Sequence, residues 1–66
     1  MSNPKGYITI AVEVKAKTEK AVLLYDGVRD GWVPLQFVED CDGELESGHN
    51  VEVLLPEWLA KEKLFI

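Results

Sequence analysis

The chain has 66 residues, 47% of them hydrophobic and 29% charged, with five Gly and three Pro. That composition excludes a disordered tail and allows one small domain, residues 1–66, with a thin core, because a chain this short buries only roughly 60% of its unfolded surface. The formal net charge is −5, but residues 30–60 hold eight acids and no Lys or Arg, which argues against direct binding of nucleic-acid phosphates.

From Tyr7 to Lys17 the pattern alternates, with Ile8, Ile10, Val12, Val14 and Ala16 on one side and Thr9, Glu13, Lys15 and Lys17 on the other. Such period-two alternation of β-branched residues predicts a strand with one buried and one wet face. "KTEK" reads as a turn, and the continuously apolar "AVLLY" (21–25) as a central strand covered on both faces. "DGVRDG" carries Asp-Gly at 26–27 and 30–31, the pair that supplies the positive φ of tight hairpins. A third strand is expected in "WVPLQFV", where Pro34 lacks a ladder donor and must sit on an edge or end the strand. "LQFVED" after it reads as a short helical turn. "VEVLL" (51–55) is the fourth strand. "PEWLAKEK" predicts a closing helix of about two to three turns, with Pro56 at its first position and Lys61 and Lys63 at its negative end. That helix is too short to stand alone, so it must dock Trp58 and Leu59, together with Leu64, on the sheet. Trp32 and Trp58 are expected in the core, and Tyr7, Tyr25 and Phe37 in the core or at its rim. The expected fold is α+β: a small antiparallel four-stranded sheet, or a partly closed SH3-like barrel, with a short C-terminal helix.

"EDCDGELES" (39–47) places five carboxylates in nine positions around Cys41. A helix-loop-helix calcium site needs oxygen ligands at loop positions 1, 3, 5 and 12 with Gly at 6. Aligning Gly43 to position 6 puts Asp40 and Asp42 in place, but Val38 and His49 fall where carboxylates are required. One Cys and one His fall short of a zinc site. Neither a metal nor another cofactor is expected. Catalysis is disfavoured as well: Asp40 and Asp42 work against a Cys41 thiolate, and nothing marks an oxyanion or orienting group beside His49. The chain is therefore read as non-enzymatic. A divalent-metal-binding regulator stands as a further, different reading. Two other readings of the acids remain. They keep a turn solvated, or they imitate DNA phosphates and occupy a basic groove on a partner.

"KTEKAVLLYDGVRDGWVP" and "VEVLLPEWLAKEK" resemble a group of very small proteins encoded by phages and other bacterial mobile elements, in which a "TEKA" turn feeds a strand and a "PEWLA" helix ends the chain. The resemblance covers about half of the sequence, and its motifs are structural. The chain departs from the group at "LQFV" after Pro34, and at "KLFI", which replaces a glycine-containing tail. In length and acidity it is similar to anti-CRISPR proteins, in particular inhibitors of type I surveillance complexes, subtype I-C included. That resemblance implies stoichiometric inhibition, in which Asp30, Glu39, Asp40, Asp42, Glu44, Glu46, Glu52 and Glu57 act as phosphate surrogates on the basic DNA-binding surface of the complex. The alternative is an accessory or structural protein of a phage or mobile element whose acidic loop is only solvated. The N-terminal "MSNPKGYITI" lacks the basic start and apolar run of a signal peptide, and a lone cysteine suits a reducing compartment. A monomer in the bacterial cytoplasm is expected, with no membrane and no direct nucleic-acid contact.

Overall fold

The alternation of residues 7–17 forms the long strand β1 (Tyr7–Lys17) of a computed structural model that describes residues 5–65. Val12 and Val14 are buried, and Ile8 and Ile10 pack on the same cluster from the rim. At Lys15 a bulge slips the register, so Val14 opposes Leu24 but Ala16 opposes Leu23. An inserted residue moves everything after it to the opposite face. Ala16 and Lys17 thereby leave the alternation that the sequence suggests.

β2 (Ala21–Tyr25) follows a turn closed by Thr18, whose Oγ1 accepts from the Ala21 N–H at 3.0 Å. β2 lies inside the sheet but is covered on one face only. Val22 and Leu24 are fully buried, whereas Ala21, Leu23 and Tyr25 stay half-buried because no layer lies over the other face. The β2–β3 hairpin turns at Asp26–Arg29, with Gly27 at φ 104°. Asp26 Oδ1 accepts from the N–H groups of Arg29 (2.8 Å) and Val28 (2.9 Å), which hold its carboxyl below the usual value. The second Asp-Gly does not turn: Asp30 and Gly31 start β3 (Asp30–Pro34).

β3 is an edge strand, as Pro34 requires, and it runs into a 3-10 turn at Leu35–Phe37. The chain then forms a strand that the sequence does not announce, β4 (Asp40–Asp42), before β5 (Asn50–Pro56) and the helix α1 (Glu57–Glu62). The fold is α+β, with five antiparallel strands in the order β3-β2-β1-β5-β4. The sheet is not closed into a barrel, because β3 and β4 remain as separate edges. Among the described residues no helix is long and apolar enough to cross a membrane.

One face of the sheet carries the core: Val12, Val14, Val22, Leu24, Val33, Val51, Val53 and Leu55, closed over by Leu59, Ala60 and Phe65. Trp32 and Trp58 are not in it; they are 45% and 55% exposed. Trp32 opposes Leu23 and so points away from the core face, where its neighbour Val33 is buried. In a six-residue helix only Leu59 and Ala60 face the sheet, and Trp58 lies about 100° around the axis from Leu59. Pro56 is the residue before the helix rather than its first position. Leu64, expected to dock, is 55% exposed, and Phe65 fills the place instead. Its N–H reaches the Ala60 carbonyl (2.9 Å) while the Leu64 N–H reaches that of Lys61 (3.1 Å), the pairing of a Schellman motif. The motif puts Leu64 at φ 63°, where Gly is the usual occupant.

Candidate partner-binding site

β4 is a strand because β5 pairs with it. Cys41 opposes the buried Val53 and packs on the core, while Asp40 and Asp42 point to the open face opposite Leu54 and Glu52. Asp40 Oδ1 accepts from the Cys41 N–H at 2.9 Å, so a backbone donor of this edge strand is met by its own side chain. Burial, then Asp40 and then Asp42, push the Cys41 thiol up from its ordinary value. Its Sγ lies 3.5 Å from the Gly43 carbonyl, which can accept from the protonated thiol.

Asp42 and Glu52 are direct cross-strand partners, and Asp40 is the next residue on the same face. Side chains so opposed have Cβ atoms about 4.5–5.5 Å apart. Glu39 immediately precedes β4, out of phase with Asp40, and its N–H donates to the Leu54 carbonyl at 2.9 Å. Glu44 follows the strand, and Glu57 opens α1 at the end of β5. Glu39, Asp40, Asp42, Glu44 and Glu52 thus border the β4–β5 edge, Glu57 lies beyond it with its N–H donating to the Gly6 carbonyl before β1 at 2.8 Å, and all six are exposed. The two ion pairs among the described residues, Lys15–Glu13 and Lys17–Glu46, use none of these six.

Two of the eight acids singled out in the sequence fall elsewhere. Asp30 lies on β3, the opposite edge of the sheet. Glu46 is engaged by Lys17 at 3.0 Å, in a loop that is also tied to β1 by Ser47 Oγ donating to the Lys15 carbonyl. Conversely, the open face has two acids the sequence reading did not include. Glu13 and Asp26 line a shallow depression with Tyr25, Asn50, Asp42 and Glu52. Glu13 sits on the wet side of β1, so alternation alone marks it as exposed; its nearness to Glu52 follows only from the β1–β5 register. Lys15 Nζ lies 3.2 Å from Glu13 and 4.9 Å from the Tyr25 ring centre, so the negative surface ends at β1.

Among the described residues no three His, Cys, Asp or Glu side chains are grouped to hold a metal ion. Residues 40–42, which a calcium loop would need as loop, are a strand. What the arrangement offers chemically is a group of exposed carboxylates along one sheet edge that the ion pairs among the described residues do not use. No protein-family model, curated protein or solved structure matches this chain.

Proposed function

We propose that the chain is a non-enzymatic inhibitor that docks its acidic β4–β5 edge on a basic, DNA-binding protein surface and so keeps DNA out. The observation that carries this reading is the Asp42–Glu52 pair, with Asp40 beside it. Like charges directly opposed across strands weaken a sheet, and among the described residues no lysine or arginine forms an ion pair with them. A chain with seven basic residues could relieve that repulsion and leaves it in place. We read a like-charge pair left without a counter-ion as a surface kept for a partner. The β4–β5 edge supplies Glu39, Asp40, Asp42, Glu44 and Glu52 as phosphate surrogates, with Glu57 beyond its end on α1. Glu46 is spent on Lys17, and Asp30 is out of reach on the other edge.

The resemblance to anti-CRISPR proteins names the partner: the DNA-binding surface of a type I surveillance complex in a bacterial host carrying a phage or mobile element. The test is a gel shift of target DNA by that purified complex, with and without this protein. Loss of the shift with wild type, and its return with Glu39→Lys/Asp40→Lys/Asp42→Lys, is the expected result. An undisturbed shift with wild type overturns the reading.

A further inference from the structure

The core-face side of this edge, under α1, carries an aromatic feature that charge alone does not explain. Trp58 is 55% exposed, on a helix whose apolar residues otherwise face the core. Phe37 meets it edge to face, with ring centroids 5.4 Å apart and planes at 84°. One such contact fixes the indole and leaves much of its surface open to a partner. Acids adjoin the pair in the chain. Glu57 precedes Trp58, and Glu39 lies two residues beyond Phe37, its backbone N–H donating to the Leu54 carbonyl at the adjoining strand edge. An exposed ring with acids close by in the chain combines the elements of a single-stranded nucleotide, a stackable base and charged phosphates.

Resting on the proposed inhibitory function, we infer that Trp58, held by Phe37 and with Glu57 and Glu39 adjoining the pair in the chain, takes the place of an unstacked base in the partner's binding groove. The matching partner chemistry is a groove built for single-stranded nucleic acid, with cationic walls and an aromatic or guanidinium platform on which bases stack. Charge complementarity sets the orientation: carboxylates meet the walls while the indole meets the platform. Trp58 then supplies the salt-insensitive share of affinity and the acids supply the salt-sensitive share.

The experiment measures binding of the full chain to the immobilised type I surveillance complex at several salt concentrations. It compares wild type, Trp58→Ala, Trp58→Phe and the Glu39/Asp40/Asp42 charge reversal. Removal of one stacking ring should weaken binding about five- to a hundredfold, and Phe should recover most of it. The salt dependence of Trp58→Ala should equal that of wild type, while that of the charge reversal flattens. Competition provides a measure independent of any substitution: a single-stranded oligonucleotide should displace the wild-type protein better than a duplex of equal length. Wild-type affinity in Trp58→Ala, or displacement by duplex and single strand alike, overturns the inference while the inhibitory reading stands. Absence of wild-type binding overturns both.

Discussion

Asp42 on the edge strand β4 faces Glu52 on β5 directly, two carboxylates in register on an open sheet face. Their repulsion gives the first prediction. Asp42→Lys replaces a like pair by an opposite one, and such cross-strand differences amount to about 0.2–1 kcal/mol. For a domain of this size, that shifts the thermal midpoint upward by a few °C, since about 1 kcal/mol corresponds to roughly 4–8 °C. Added salt should raise the midpoint of wild type and leave the variant nearly unchanged. Partner binding should weaken in the same variant, a gain in stability coupled to a loss of function. A variant that melts at or below wild type would show that the pair carries no strain.

Leu64 stands at φ 63° in the Schellman turn that ends α1. A left-handed residue other than Gly costs about 1–2 kcal/mol, and here the side chain repays little because it is 55% exposed. Leu64→Gly should therefore stabilise the protein by about 1 kcal/mol in urea unfolding, with an unchanged denaturant slope. Leu64→Ala keeps the strain and should give no comparable gain. Equal stability of the Gly and Ala variants would mean the strain is relaxed elsewhere.

Much of this architecture is legible in the sequence, for local reasons. The alternation of residues 7–14, the Thr18 turn, the Asp26–Gly27 hairpin and the edge placement of Pro34 each follow from residues close together in the chain. β4 was not legible, because three residues with two aspartates satisfy the rule for a loop as well as for a strand. What makes "DCD" a strand is β5, whose Val53, twelve residues on from Cys41, receives it. The site divides along the same line. That acids crowd residues 30–60 is plain in the chain. Which of them share a surface depends on strand order, which carries Asp30 to one edge and Asp42 to the other. The exposed Trp32 and Trp58 show the limit of a size-based rule: register and helix phase, not volume, decided where each ring points.

Gly43 ends β4 at φ 111°, and a Cβ built there would come within 3.0 Å of Val51 Cγ1. Both the backbone and the buried valine resist a side chain, so Gly43→Ala should destabilise by about 2 kcal/mol or more. Gly31 is a useful contrast. Its φ is not positive, and a Cβ there would meet the Lys63 Cδ at 3.3 Å, an aliphatic stem that can move aside. Gly31→Ala should change stability by well under half of the Gly43→Ala effect when both are unfolded in urea. Equal losses at the two sites would remove the argument that Val51 locks the end of β4.

Cys41 gives a prediction in pH. Burial and, after it, Asp40 and Asp42 raise its thiol above the ordinary value, so the native state holds this proton more tightly than the unfolded chain does. The sign follows: the thiol's contribution to stability is intact below the unfolded pKa and is lost as pH rises through the folded one. Alkylation by iodoacetamide, followed by mass spectrometry, should be slower than that of a free thiol at about pH 8, with its rise displaced to higher pH. Asp40→Asn/Asp42→Asn should move that rise back only in part, because burial is the largest cause and survives the change. A double variant that matches a free thiol would assign the whole shift to the two carboxylates. A wild-type profile that already matches would mean that β4 opens readily enough to expose Cys41, leaving the acidic edge too loose to present Asp40, Asp42 and Glu52 as one surface.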